Sequence, residues 1–225
     1  MSSNAKYKLT NQSIKDYQEN GFLVVRNVVD KALLNAQSNT IRNCLYRFLG
    51  SDPKLADEEN LWDSRHFHES LINFRSEDPD TFGSLYDTLQ SSITLTQLIA
   101  SEDLVQLCVE LLGVTPFDLS SQAQELRLDV PFDKRNRQLW HQDQSYFPAN
   151  YMCEAALSCW LPLNHHTPDM GPLEVIPGSH KLGDINKRPS KWTTDKLQPS
   201  LDFKNESFTK QYNITENISM QDIDI

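Results

Sequence analysis

The residues best suited to chemistry are His141 and Asp143, inside Leu139-Trp140-His141-Gln142-Asp143. Along a β-strand, side chains alternate between faces, so positions i and i+2 point the same way. In a strand over this stretch, the His141 imidazole and the Asp143 carboxylate project side by side. That is two-thirds of a two-His, one-carboxylate facial triad, which holds non-heme Fe(II) and leaves positions open for substrate and O₂. The third ligand has to come from elsewhere in the chain. Without context, a surface pair on an exposed strand is the favoured reading of the same two residues.

The other histidines suit a metal less well. His180 sits on a Pro-Gly-Ser-His turn, where it fixes the turn or the rim of a site rather than binding an ion. His165 and His166 are adjacent after a strand end at Asn164, and adjacent side chains on a strand cannot both face one metal. His66 and His68 have i, i+2 spacing but no nearby carboxylate motif, which favours structural or substrate-side roles. Cys44, Cys108, Cys153 and Cys159 are widely spaced, with none of the Cys-x-x-Cys pairs that structural zinc and thioredoxin-like chemistry use. They read as reduced, mostly buried thiols.

The elements that must position these residues fall into two halves. Thr10 is a candidate N-cap, Ile14 and Tyr17 follow at near-helical spacing, and Asn20-Gly21 closes the helix. Phe22 to Val25 reads as a short buried strand. Asp30 caps a second helix with Leu33, Leu34, Ile41, Leu45 and Phe48 on its inner face. Gly50 to Asn60 is an acidic loop, and Leu61 to Asp80 shows no clean period. Two helices are expected at about Thr81–Ile99 and Glu102–Leu112, with Gly113 ending the second. From Asp118 the texture turns to strands: Ser121–Val130 stopped by Pro131, the run around His141, Glu154–Leu163, and Leu173–Ile176 ended by Pro177-Gly178. Strands split by Pro/Gly turns suggest an antiparallel sandwich or barrel. From Asp184 onward the chain is polar with scattered aromatics.

Composition bounds the function. The chain has 225 residues, enough for one large domain over residues 1–225. A net charge of −10 argues against broad nucleic-acid binding and against docking on anionic membranes. No transmembrane span is visible, and Met1 to Thr10 lacks the apolar core of a signal peptide, so a cytoplasmic location is expected. On that footing the sequons at Asn11, Asn205, Asn213 and Asn217 are chance matches.

Two longer motifs give His141 and Asp143 a context. Trp140-His141-Gln142-Asp143-Gln144-Ser145-Tyr146-Phe147-Pro148 resembles the metal-binding strand of the phytanoyl-CoA dioxygenase family. Gly171-Pro172-Leu173-Glu174-Val175-Ile176-Pro177-Gly178-Ser179-His180-Lys181 resembles that family's Gly-x-Leu-x-x-Ile-Pro-Gly-Ser-His-Lys segment, in matching order and separation. Leu9 to Val29 is similar to its entry helix and first strand.

The resemblance implies a mainly β fold with N-terminal helices: a double-stranded β-helix, or jelly-roll. The helical part would span about residues 1–117 and the jelly-roll about 118–225, with its C-terminal strands missing. It implies Fe(II) and 2-oxoglutarate as cofactors, with ascorbate a candidate reductant. It makes His141 and Asp143 iron ligands, and puts Trp160 and Gln124 at the co-substrate. Related halogenases lack the carboxylate so that chloride can bind iron, so Asp143 implies hydroxylation instead. The family's distal His, and the Arg after it that pairs with the far carboxylate of 2-oxoglutarate, have no counterpart, since no His follows His180. The chain is therefore expected to be the first part of a longer family member.

Several side chains keep two readings. Trp140 and Tyr146 serve core packing or line a pocket. Lys134, Arg135 and Arg137 form a solvated loop or meet an anionic substrate at the pocket mouth. Gln124 belongs to the site if its strand face points inward, and Arg127 does if the opposite face does. Two functions follow. One is a dioxygenase that hydroxylates a small molecule, with O₂ as the other substrate and succinate as a product. The other is an inactive jelly-roll fragment or binding module. Substrate identity and oligomeric state stay open.

Overall fold

A computed structural model of the chain describes residues 7–51, 60–121, 125–133, 140–143, 156–182 and 218–219. Six α-helices fall among them: α1 Asn11–Asn20, α2 Lys31–Phe48, α3 Arg65–Glu77, α4 Pro79–Gln90, α5 Ile93–Ile99 and α6 Glu102–Leu112. Most starts are set by a side chain that accepts one of the otherwise unpaired first-turn N–H groups. Thr10 accepts from Ser13, Asp30 from Ala32, Ser64 from Phe67, Asp78 from Thr81 and Ser92 from Leu95. Asp78 joins two helices: its N–H closes α3 on Phe74 while its carboxylate opens α4, with Pro79 at the first position.

α2 packs against α4 and α5, and α3 packs against α4. Their shared core includes Ile41, Leu45, Phe67, Phe82, Leu85 and Leu89, all essentially sealed from solvent. Phe74 and Phe82 meet edge to face at 5.7 Å, and Trp62 meets Phe67 at 5.8 Å. Gln37 of α2 is buried among these apolar groups, where its carbonyl oxygen accepts from the Thr94 hydroxyl at 2.7 Å. Leu71 completes the i, i+4, i+7 stripe of Phe67 and Phe74 on α3.

The expected mainly β jelly-roll is not what forms. Among the described residues the only strands are β1 Glu174–Val175 and β2 Ile218–Ser219. They pair antiparallel, Glu174 with Ser219 and Val175 with Ile218. The alternation that suggested strands is nevertheless present in residues 125–130. Leu126 and Leu128 are buried, and Glu125, Arg127 and Asp129 are exposed. What differs is the partner. The Leu126 N–H donates to Gln90 Oε1 at 2.7 Å, and Gln90 Nε2 donates back to the Leu126 carbonyl at 2.7 Å. The Leu128 N–H donates to the Tyr86 hydroxyl at 3.0 Å. Side chains of α4 thus satisfy the buried backbone that a neighbouring strand would otherwise pair. Leu126 and Leu128 then join the helical core.

Smaller expectations also change. Phe22–Val25 forms no strand, and Val24 is exposed. The single helix expected over Thr81–Ile99 divides, because Ser92 caps a new helix. Glu154–Leu163 is not a strand over its described part, residues 156–163. Among the described residues no helix is long and apolar enough to cross a membrane.

The Pro177-Gly178-Ser179-His180 turn docks on the end of α1. Gly178 N donates to the Asn20 carbonyl at 2.7 Å, and His180 Nε2 lies 3.1 Å from the Gln18 carbonyl. Gly21 ends α1 at φ +79°, and a Cβ there would fall 2.1 Å from His180 Nδ1. Gly113 ends α6 at φ +67° with open space around it.

Two stability predictions follow from these contacts. Gly113→Ala should cost about 1 kcal/mol, the ordinary penalty of a left-handed residue. Gly21→Ala should cost measurably more in chemical denaturation, because it also evicts His180. Adding His180→Ala should remove that excess. Gln90→Ala should cost about 2 kcal/mol or more, since it strands a buried N–H and a buried carbonyl together. A Gln90→Ala loss no larger than that of an exposed α4 position such as Thr88→Ala would contradict this role.

Candidate metal centre

The segment that reaches the site leaves the helical core under tight control. After Leu128 the chain turns at Pro131-Phe132, with Phe132 in the left-handed region at φ +63°. Asp133 then pairs with Arg75 of α3 at 2.7 Å, their side chains only 6% and 13% exposed. Arg75 also lies over the Phe82 ring, 4.9 Å from its centre. A pair this enclosed is costly to break, because either partner alone would be a buried charge.

His141 and Asp143 come together, though not through a strand. His141 Nε2 lies 3.1 Å from Asp143 Oδ1. Residues 140–143 are not a β-strand, and among the described residues no pair of sheets encloses the side chains. The expectation of a strand pointing into an inter-sheet cavity is corrected accordingly. The imidazole is 22% exposed and the carboxylate 49%. Asp143 is held below the usual carboxylate range. The hydrogen bond from His141 is the largest cause, partial burial works against it, and the Ser158 hydroxyl and the charge on His141 add to the lowering.

The donor set fits a divalent metal in type and spacing. Ligand bonds of about 2.1 Å at right angles put neighbouring donor atoms about 3.0 Å apart. The 3.1 Å separation of a neutral-capable nitrogen and an ionised oxygen matches that. Among the described residues no group of three His, Cys, Asp or Glu gathers to hold an ion. His180 is occupied at α1 instead.

The remaining candidates divide. Trp160 is 40% exposed and meets the His166 ring edge-on at 5.3 Å. His166 Nδ1 is 3.1 Å from the Asn164 carbonyl. His66 stacks on Tyr46 at 5.7 Å, and His68 Nε2 lies 2.8 Å from the Trp62 carbonyl, so both serve the helical part. Arg127 is on the outward face and pairs with Asp129 at 3.0 Å. Gln124, Lys134, Arg135, Arg137, Tyr146 and Cys153 lie outside the described residues. Sequence reasoning missed Ser158 as a partner of Asp143. Cys159 is exposed rather than buried, and its sulfur lies 3.7 Å from that of Cys108.

A family model for phytanoyl-CoA dioxygenase matches residues 17–207. That span takes in most of the 225 residues, and the chain belongs to the phytanoyl-CoA dioxygenase family. Members of this family generally use Fe(II) and 2-oxoglutarate as oxygenases. No solved structure matches the chain.

The depressed Asp143 carboxyl carries a pH signature. A group whose folded pKa lies below its unfolded value adds stability above that unfolded value, and the gain is lost as pH falls through the folded pKa. Asp143→Asn should therefore be less stable than the unchanged chain at neutral pH. The difference should close below about pH 3.9, the ordinary Asp value. Thermal melts of both proteins across pH check this; a gap that persists unchanged into strong acid would contradict it.

Proposed function

We propose that the chain carries the first two iron ligands of an Fe(II)- and 2-oxoglutarate-dependent dioxygenase that hydroxylates a small molecule, with His141 and Asp143 as those ligands. The single observation that supports this most is the 3.1 Å spacing of His141 Nε2 and Asp143 Oδ1 within the family-matched span. When bound, the metal and co-substrate supply the oxidising chemistry, converting 2-oxoglutarate to succinate.

The chain's own residues do the positioning. Asp143 stays ionised well into acid, so it offers a ready anionic donor at working pH. Ser158 holds the carboxylate against the neighbouring segment. His141 must release any proton on Nε2 before that nitrogen can donate to a metal, which makes metal affinity fall in acid. Trp160 lies two residues beyond Ser158, where it can wall a co-substrate pocket, and Gln124 is its proposed companion. O₂ and a small-molecule substrate are the proposed partners.

A second reading has its own support. The described residues offer the pair no third ligand, which favours a weak metal-binding or inactive module. The two readings part on one assay. The 225-residue chain should bind Fe(II) or Mn(II) weakly but measurably by calorimetry. His141→Ala and Asp143→Ala should each lower that affinity about tenfold or more. Succinate release with Fe(II), ascorbate and 2-oxoglutarate should be slow or absent in this chain, and should rise in a version extended to include a distal His and Arg. Metal binding indifferent to both substitutions would refute the ligand assignment. Equal activity with and without the extension would show that the described pair has a partner within residues 1–225.

A further inference from the structure

We propose that Cys108 and Cys159 form a modification site: a thiol pair that a peroxide-class oxidant converts to a reversible disulfide, fastening α6 to the segment beside Asp143. The two sulfurs lie 3.7 Å apart although 51 residues separate them in sequence. A disulfide bond is about 2.05 Å long, so closure needs the sulfurs to approach by about 1.7 Å, within reach of side-chain rotation. Cys159 is exposed and Cys108 only partly buried, so an oxidant can reach the pair. A soft metal is the competing occupant, but among the described residues no third His, Cys, Asp or Glu joins the two thiols.

Each thiol shapes the ionisation of the other. The Cys159 thiol's hydrogen bond holds Cys108 below the ordinary thiol value, against the effect of burial. The same bond pushes Cys159 up. Either sulfur can be the donor in this contact, so the roles of attacking thiolate and resolving thiol can be taken by either member of the pair. Tyr17 of α1 stands close by. Burial is the main cause of its raised phenol pKa, and charge on Cys159 and Cys108 adds to it.

The step balances without any other reactant. With Cys108 as the attacking thiolate, its sulfur attacks one peroxide oxygen, the O–O bond breaks, and hydroxide leaves to become water. Cys108 is now a sulfenic acid, oxidised by two electrons. The Cys159 sulfur displaces the sulfenic hydroxyl, which leaves as a second water with the thiol proton. Two thiols and one peroxide give one disulfide and two waters. Cys159 adjoins Ser158, the partner of Asp143, so the new bond lands next to the candidate metal centre. Bond formation itself is independent of any metal.

The test uses the full chain without metal. It is treated with hydrogen peroxide, alkylated, and mapped by mass spectrometry under non-reducing conditions. The expected product is lighter by two hydrogens, with the peptides of Cys108 and Cys159 joined, and dithiothreitol restores the free thiols. Cys108→Ser and Cys159→Ser should each abolish the link, while Cys44→Ser should leave it. Chain unfolded in urea should pair its four cysteines indiscriminately. Links to Cys44 or Cys153 in equal yield, or oxidation of the folded chain that ends at sulfinic acid, would overturn the proposal. The map of the unmutated chain decides alone, so a variant that fails to fold leaves the test intact. Success or failure here is separate from iron binding, which the calorimetry reads.

Discussion

Gln90 is the hinge between the two halves of the chain. Its amide donates to the carbonyl of Leu126 and accepts from the N–H of the same residue. An extended segment can bury Leu126 and Leu128 only if its backbone polar groups are satisfied, since each unpaired buried group costs about 1–3 kcal/mol. A neighbouring strand would do this. Here the last residue of α4 does it, helped by Tyr86 one turn earlier. Arg75 of α3 then anchors Asp133, a few residues further along the same segment.

The helical half was largely legible, because its signals are local. Thr10, Asp30, Gly21 and Gly113 terminate helices where capping chemistry said they would. The inner face of α2 and the bounds of α6 also match. The break at Ser91-Ser92 was not legible, because apolar periodicity runs through it and only a serine cap divides it. α3 was hidden for a related reason. Its Phe67, Leu71, Phe74 stripe is regular, but two histidines and a flanking tryptophan obscure it.

In residues 125–130 the expectation failed at the level of the partner rather than of the side-chain alternation. Residues 125–130 alternate as a half-buried strand should, yet alternation cannot say whether a strand or a row of helix side chains covers the buried face. The same limit applied to the site. His141 does lie beside Asp143, but the backbone there is not a strand, so the i, i+2 alternation is not what brings them together. Contacts distant in sequence, Ser158 with Asp143 and Cys108 with Cys159, had no local signature at all. Family resemblance singled out the segment around His141 and overstated the sheet expected around it.

The central claim is that His141 and Asp143 are a nascent metal centre and that the other histidines serve structure. The chain has six histidines, which makes a residue-resolved readout practical. Histidine-labelled protein titrated with substoichiometric Mn(II) should show paramagnetic broadening of the His141 ring first in NMR spectra. His66, His68 and His180, held at Tyr46, Trp62 and α1, should stay sharp at the same ratio. Asp143→Ala should abolish the selectivity. Broadening that begins at His180 or His66, or that spreads evenly over all six rings, would contradict the account.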